Sequence, residues 1–102
     1  MKALSLAAFV TACLNCGAAH ASPGLAKEKN CLACHAVDHR VLGPAWNDVA
    51  ARYRGRPEMA PFLAAKIRQG GTGAWGVLVM PANPKVSEAE ARELAQWILS
   101  LK

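Results

Sequence analysis

Cys31-Leu32-Ala33-Cys34-His35, read as CLACH, is the stretch on which the interpretation of this chain turns. It sits inside KEKNCLACHAVDHR, residues 27–40. A second pair, Cys13-Leu14-Asn15-Cys16, has the same thiol spacing but is followed by Gly17. One histidine separates two very different chemistries.

Cys31-x-x-Cys34-His35 is the attachment signature of a c-type haem. Two thiols at this spacing can each form a thioether with one vinyl group of a porphyrin. The chain then crosses the edge of the macrocycle and carries the next side chain beneath the iron, where an imidazole can ligate it. A redox-active disulfide also uses CxxC, but normally beside a βαβ pattern, which this sequence lacks. Half of a zinc site needs two further ligands. Past residue 21 the chain has no other cysteine and one other histidine, His39.

Residues 1–21, MKALSLAAFVTACLNCGAAHA, read as a secretory signal peptide. Lys2 gives a positive start, an apolar run extends from Ala3 to Ala12, and Ala19-His20-Ala21 fits a small-x-small cleavage site. The run is too short for a hydrocarbon core of about 30 Å, so a membrane-spanning segment is not expected. A competing reading attaches lipid at Cys13, in Val10-Thr11-Ala12-Cys13, with an unusually short leader. Cleavage after Ala21 leaves residues 22–102 as one domain exported to the periplasm. It also discards Cys13 and Cys16. The export signal agrees with haem attachment, which takes place outside the cytoplasm.

The mature chain carries 11 basic and 7 acidic residues, a net charge of +4. The basic residues are dispersed apart from Arg52, Arg54 and Arg56, and aromatics do not interleave them. That pattern does not suit nucleic-acid binding. It reads as a solvated basic face with a modest preference for acidic protein partners. A chain of 81 residues is marginal if only its own apolar core stabilises it. A bound cofactor would relieve that shortage.

Helical signals dominate. The C-terminal VSEAEARELAQWILSLK opens with a Ser87-x-x-Glu90 capping box, and Ala91, Leu94, Ala95, Ile98 and Leu101 form one apolar face. Trp97 borders that face. GPAWNDVAARYRG reads as a short helix after Gly43-Pro44, ending at Gly55. PEMAPFLAAKIRQGG reads as another, with Pro61 in its first turn and Gly70-Gly71 as its stop. A first helix is expected from about Leu25 towards Cys31. Between the last two helices GTGAWGVLVMPANPK, residues 71–85, is barred from a long helix by its glycines and prolines. Loops of that length in a small domain are usually functional.

A six-coordinate haem needs a second axial ligand. His39 lies too close to His35 in sequence to reach the opposite ring face, and reads as a surface residue. Met80, in the irregular VLVMPAN, is the expected ligand. Its rival, Met59, falls in a helical segment and reads as a packing residue. His35 with Met80 fills both axial positions, raises the reduction potential and leaves outer-sphere transfer of one electron.

CLACHAVD, GPAWNDVAA, GGTGAWG, MPAN and the terminal helix with Trp97 together resemble class I c-type cytochromes, in particular the short bacterial cytochromes c-551. The resemblance covers residues 23–102. It implies an all-α fold of about four short helices wrapped around one covalently bound haem, with the N- and C-terminal helices crossing. It also implies roles: the Pro44 carbonyl accepts from the outer nitrogen of His35, the Trp75 indole donates to a haem propionate, and the Asn83 amide lies near the Met80 sulfur. Lys66 stands where an arginine often meets a propionate, a fork that lysine cannot reproduce. Trp46 packs against the haem.

The expected function is a monomeric, periplasmic single-electron carrier in a respiratory chain, not an enzyme. Its partners would be redox proteins such as a nitrite reductase, a terminal oxidase or a peroxidase. Val77 and Leu78 would either join a docking face at the haem edge or be buried against the haem. Two other readings compete. One is a haem-based ligand sensor or peroxidase-like enzyme with a labile sixth ligand. The other is a detached haem domain serving one dedicated enzyme.

Overall fold

Ser87 shows how local sequence sets the architecture. Its side chain accepts from the Glu90 backbone N–H at 3.1 Å, and its own N–H donates to Glu90 Oε1 at 3.0 Å. Two orphan donors at the helix start are thereby satisfied, a contribution of about 1 kcal/mol for the cap. The computed structural model describes residues 22–102, so the expected leader, with Cys13 and Cys16, lies outside the described residues.

The helix opened by Ser87 is α4, Glu88–Ser100. Before it come α1, Pro23–Glu28, α2, Trp46–Arg52, and α3, Met59–Gln69. Among the described residues there is no sheet, only isolated antiparallel bridges between His35 and Arg40 and between Gly71 and Met80. The protein is all-α, as expected.

The first helix lies earlier in the chain than the expected span from about Leu25 towards Cys31, starting at Pro23. It ends at Glu28, and Cys31–Ala33 form a separate 3-10 turn. Asn30 intervenes with φ 62, a left-handed conformation that asparagine tolerates and a continuing helix does not. Pro61 falls in the first turn of α3, where a missing N–H costs little.

One face of α4 is buried: Ala91, Leu94, Ala95 and Ile98 pack against Ala26 of α1, Trp46 and Val49 of α2 and Ile67 of α3. Fully burying Leu94 or Ile98 contributes roughly 1.5–3 kcal/mol each. Six of the thirteen buried apolar residues are alanines. The larger side chains on α2, α3 and the 71–85 loop turn instead towards a cleft.

Candidate haem site

The cleft has two adjoining lobes, of about 240 Å³ and about 90 Å³. Both are lined by Cys34, His35, Trp46, Ile67 and Met80, so they form one continuous space. Its remaining walls are largely apolar, including Val49, Leu63 and Ile98. Cys31 borders the smaller lobe.

His35 arrives on the 3-10 turn, and the chain folds straight back behind it. The Gly43 N–H donates to the Cys34 carbonyl at 2.7 Å, which brings Pro44 alongside the ring. His35 Nδ1 lies 2.8 Å from the Pro44 carbonyl oxygen. A carbonyl only accepts, so Nδ1 carries the proton and Nε2 keeps the lone pair that a metal requires. Trp46, the first residue of α2, stacks on the imidazole at a centroid distance of 5.3 Å and 17° between planes. Trp97 meets Trp46 edge-on at 5.2 Å. Gly43 has no room for a side chain: a Cβ there would run into the His35 ring, 2.9 Å from both nitrogens.

Met80 comes from the 71–85 loop and lines both lobes. Its N–H donates to the Gly71 carbonyl at 2.8 Å, and its carbonyl accepts from the Gly71 N–H at 3.0 Å. Gly70 permits this approach. At φ 70 and ψ −165 it occupies a region open essentially to glycine alone, and a Cβ would lie 2.8 Å from Pro81 C and Ala82 N. Asn83 then fastens the segment to the end of α3. Its backbone N–H donates to the Arg68 carbonyl at 3.0 Å, and its amide Nδ2 to the Ile67 carbonyl at 2.8 Å. Asn83 lines the smaller lobe together with Met80.

Trp75 and Lys66 line the larger lobe. The Arg52 guanidinium lies over the Trp75 ring, 3.4 Å from its centroid. Met59 is absent from the cleft lining, and its sulfur accepts from Arg56 Nη2 at 3.5 Å. His39 is exposed and pairs with Asp38 at 2.8 Å, which holds the Asp38 carboxyl below its usual range. Val77 is 93% exposed, while Leu78 and Val79 are exposed and also line the cleft.

The donor set fits a haem c. Cys31 and Cys34 are not joined in a disulfide. Before attachment, burial pushes the Cys31 thiol up, the nearby Cys34 adding to the effect. Among the described residues no three His, Cys, Asp or Glu side chains gather as a metal site.

Two contributors escaped the sequence reading. Gly43 was legible only as helix punctuation, and Arg52 only as part of a basic run. Both act on partners distant in sequence, for which the sequence carries no local signal.

The model of the family Cytochrome c matches residues 19–102. Over 103 aligned residues the chain is 48% identical to cytochrome c-552 of Nitrosomonas europaea, covering 100% of both chains. It is 51% identical to cytochrome c-551 of Azotobacter vinelandii, covering 76% of this chain and 94% of that one. The crystal structure of the wild-type Nitrosomonas europaea cytochrome c552 superposes with a TM-score of 0.77 at 49% identity, covering 79% of this chain and 100% of that one. The chain belongs to the cytochrome c family, is similar to its class I c-551 and c-552 members, and carries covalent haem c on Cys31 and Cys34.

Proposed function

We propose that this electron-carrier cytochrome works in the periplasm, with haem iron held between His35 and Met80. The observation that carries this reading is the placement of both side chains on one apolar cleft that Cys31 and Cys34 border. The cleavable leader, residues 1–21, supports export, and no helix among the described residues is long and apolar enough to cross a membrane.

Bound haem supplies a one-electron ferric/ferrous couple. The Met80 thioether favours the reduced iron and so raises the potential. The Pro44 carbonyl holds the Nδ1 proton of His35, which fixes the imidazole orientation and increases its basicity. The Trp46 stack limits ring rotation. Val49, Leu63, Ile67 and Ile98 exclude water from the iron's surroundings. In this reading Trp75 donates to a propionate, and Asn83 pins the Met80 segment. With His35 and Met80 both retained on the iron, the reorganisation accompanying electron transfer would be small.

Val77 and Leu78, exposed beside the cleft, fit a small transient docking face for redox partners. Nitrite reductases, terminal oxidases and peroxidases are partner classes of suitable chemistry. The domain is proposed to act as a monomer, without enzymatic activity of its own.

Carbon monoxide and peroxide test this against a ligand sensor or peroxidase. The reduced holoprotein is expected to leave its spectrum unchanged under carbon monoxide, and the ferric form to show no peroxidase turnover. Rapid carbon monoxide binding would contradict the carrier reading. Mass spectrometry of the exported protein tests the leader, with Ser22 expected as the first residue and no lipid at Cys13.

A further inference from the structure

We infer that Arg52 is a positioning residue for electron transfer, holding Trp75 and its glycine-rich turn against the wall of the haem cleft. The inference rests on the electron-carrier reading above. The turn itself is intrinsically loose. Gly73 and Gly76 flank Ala74-Trp75 at φ 101 and φ 121, conformations that L side chains rarely adopt. Its other bonds stay within the loop: the Gly73 N–H donates to the Gly76 carbonyl at 3.1 Å, and Thr72 Oγ1 to the Val77 carbonyl at 3.3 Å.

Arg52 reaches this turn from the end of α2. Its Nη1 donates to the Ala74 carbonyl at 2.6 Å, while its guanidinium carbon lies over the Trp75 ring, 3.4 Å from the centroid. Among the described residues Arg52 takes part in no ion pair with a carboxylate. Its charge is therefore directed to an aromatic face and a carbonyl, a combination that a planar fork satisfies and an ammonium does not. Other cations border the same wall: Lys66 lines the cleft, and Arg40 Nη2 lies 3.9 Å from where a Gly76 Cβ would stand.

The placement has a consequence for the site. The first residue of α2, Trp46, stacks on His35, and the last, Arg52, caps Trp75. One seven-residue helix thus braces the imidazole and the Trp75 turn together. Loss of the clamp would let the turn open, admit water to the haem edge and lower the potential.

The test is a double-mutant cycle on the reduction potential of the holoprotein, using Arg52→Lys, Arg52→Met, Trp75→Phe and Arg52→Met with Trp75→Phe. Arg52→Met is expected to move the reduced-to-oxidised ratio about threefold towards the oxidised form, the scale of coupling between contacting residues. Arg52→Lys keeps the charge but not the flat stacking, and is expected to shift it the same way. In the Trp75→Phe background Arg52→Met is expected to add little. A wild-type potential in Arg52→Lys, or an undiminished Arg52→Met shift without Trp75, would overturn the inference. The sulfur-to-iron band of the wild type is recorded in the same samples. Its absence would contradict Met80 ligation alone, and the cycle would still decide the role of Arg52.

Discussion

Met80 and Gly71 exchange both of their backbone hydrogen bonds, at 2.8 and 3.0 Å, so the methionine that faces the cleft is pinned by its main chain. This matters because the flanking loop has no regular structure and the side chain is long and unbranched. Fixing the backbone removes much of the freedom that the Met80 thioether would otherwise have in the cleft.

Gly70→Ala is predicted to loosen that hold. The residue sits at φ 70 and ψ −165, and an added methyl meets the Pro81–Ala82 backbone. A cost of about 1–3 kcal/mol is expected from the backbone conformation. Chemical denaturation measures it, and a weaker sulfur-to-iron band should accompany it. An unchanged midpoint and band would show that the loop accommodates the methyl.

Gly43→Ala is predicted to act on His35. Its Cβ would enter the His35 ring, so the imidazole must tilt away from Trp46 or the Gly43-Pro44 segment must shift. Overpacking of this kind costs about 1–3 kcal/mol. Thermal unfolding of the holoprotein should show it, together with a perturbed histidine ring signal by NMR.

These two glycines also show what was legible in the sequence. CLACH gave the cofactor because its whole grammar fits in five consecutive residues. The Ser87–Glu90 box and the apolar face of α4 were legible for the same reason, since partners three or four residues apart are read from spacing alone. The 71–85 loop was recognisable as irregular. Its closure by Gly71 and Met80, its attachment through Asn83 to Ile67 and its clamp by Arg52 were not, because each joins segments that only the fold brings together. The early end of α1 turned on the left-handed backbone of Asn30, a choice that helix propensity does not reveal.

Acid should weaken the tie between Lys29, just past α1, and Glu90 in the first turn of α4. Glu90 accepts from the Ser87 backbone N–H and pairs with Lys29 at 3.2 Å, and these contacts hold its carboxyl below the usual range. A folded value below the unfolded one means the contribution is fully present above the ordinary glutamate pKa of about 4.3. It is lost as pH falls through the depressed folded value. Denaturation midpoints of wild type and Glu90→Gln should therefore differ at neutral pH and converge in acid. A gap that stays constant across that range would contradict the assignment.

Removing the haem should remove the fold. So many of the buried apolar residues are alanines that the porphyrin must supply much of the apolar bulk. Cys31→Ser with Cys34→Ser is predicted to yield a chain that has lost most of its helical circular dichroism. A cooperative thermal transition in that variant would show that the protein alone suffices.

Iron ligation by His35 and Met80 is tested most directly by the ferric absorption spectrum of the holoprotein, compared with that of Met80→Ala. A low-spin wild-type haem with the weak red-edge sulfur-to-iron band is expected, with loss of that band and an opened sixth position in Met80→Ala. A high-spin wild type, or a band that survives removal of Met80, would contradict ligation by His35 and Met80.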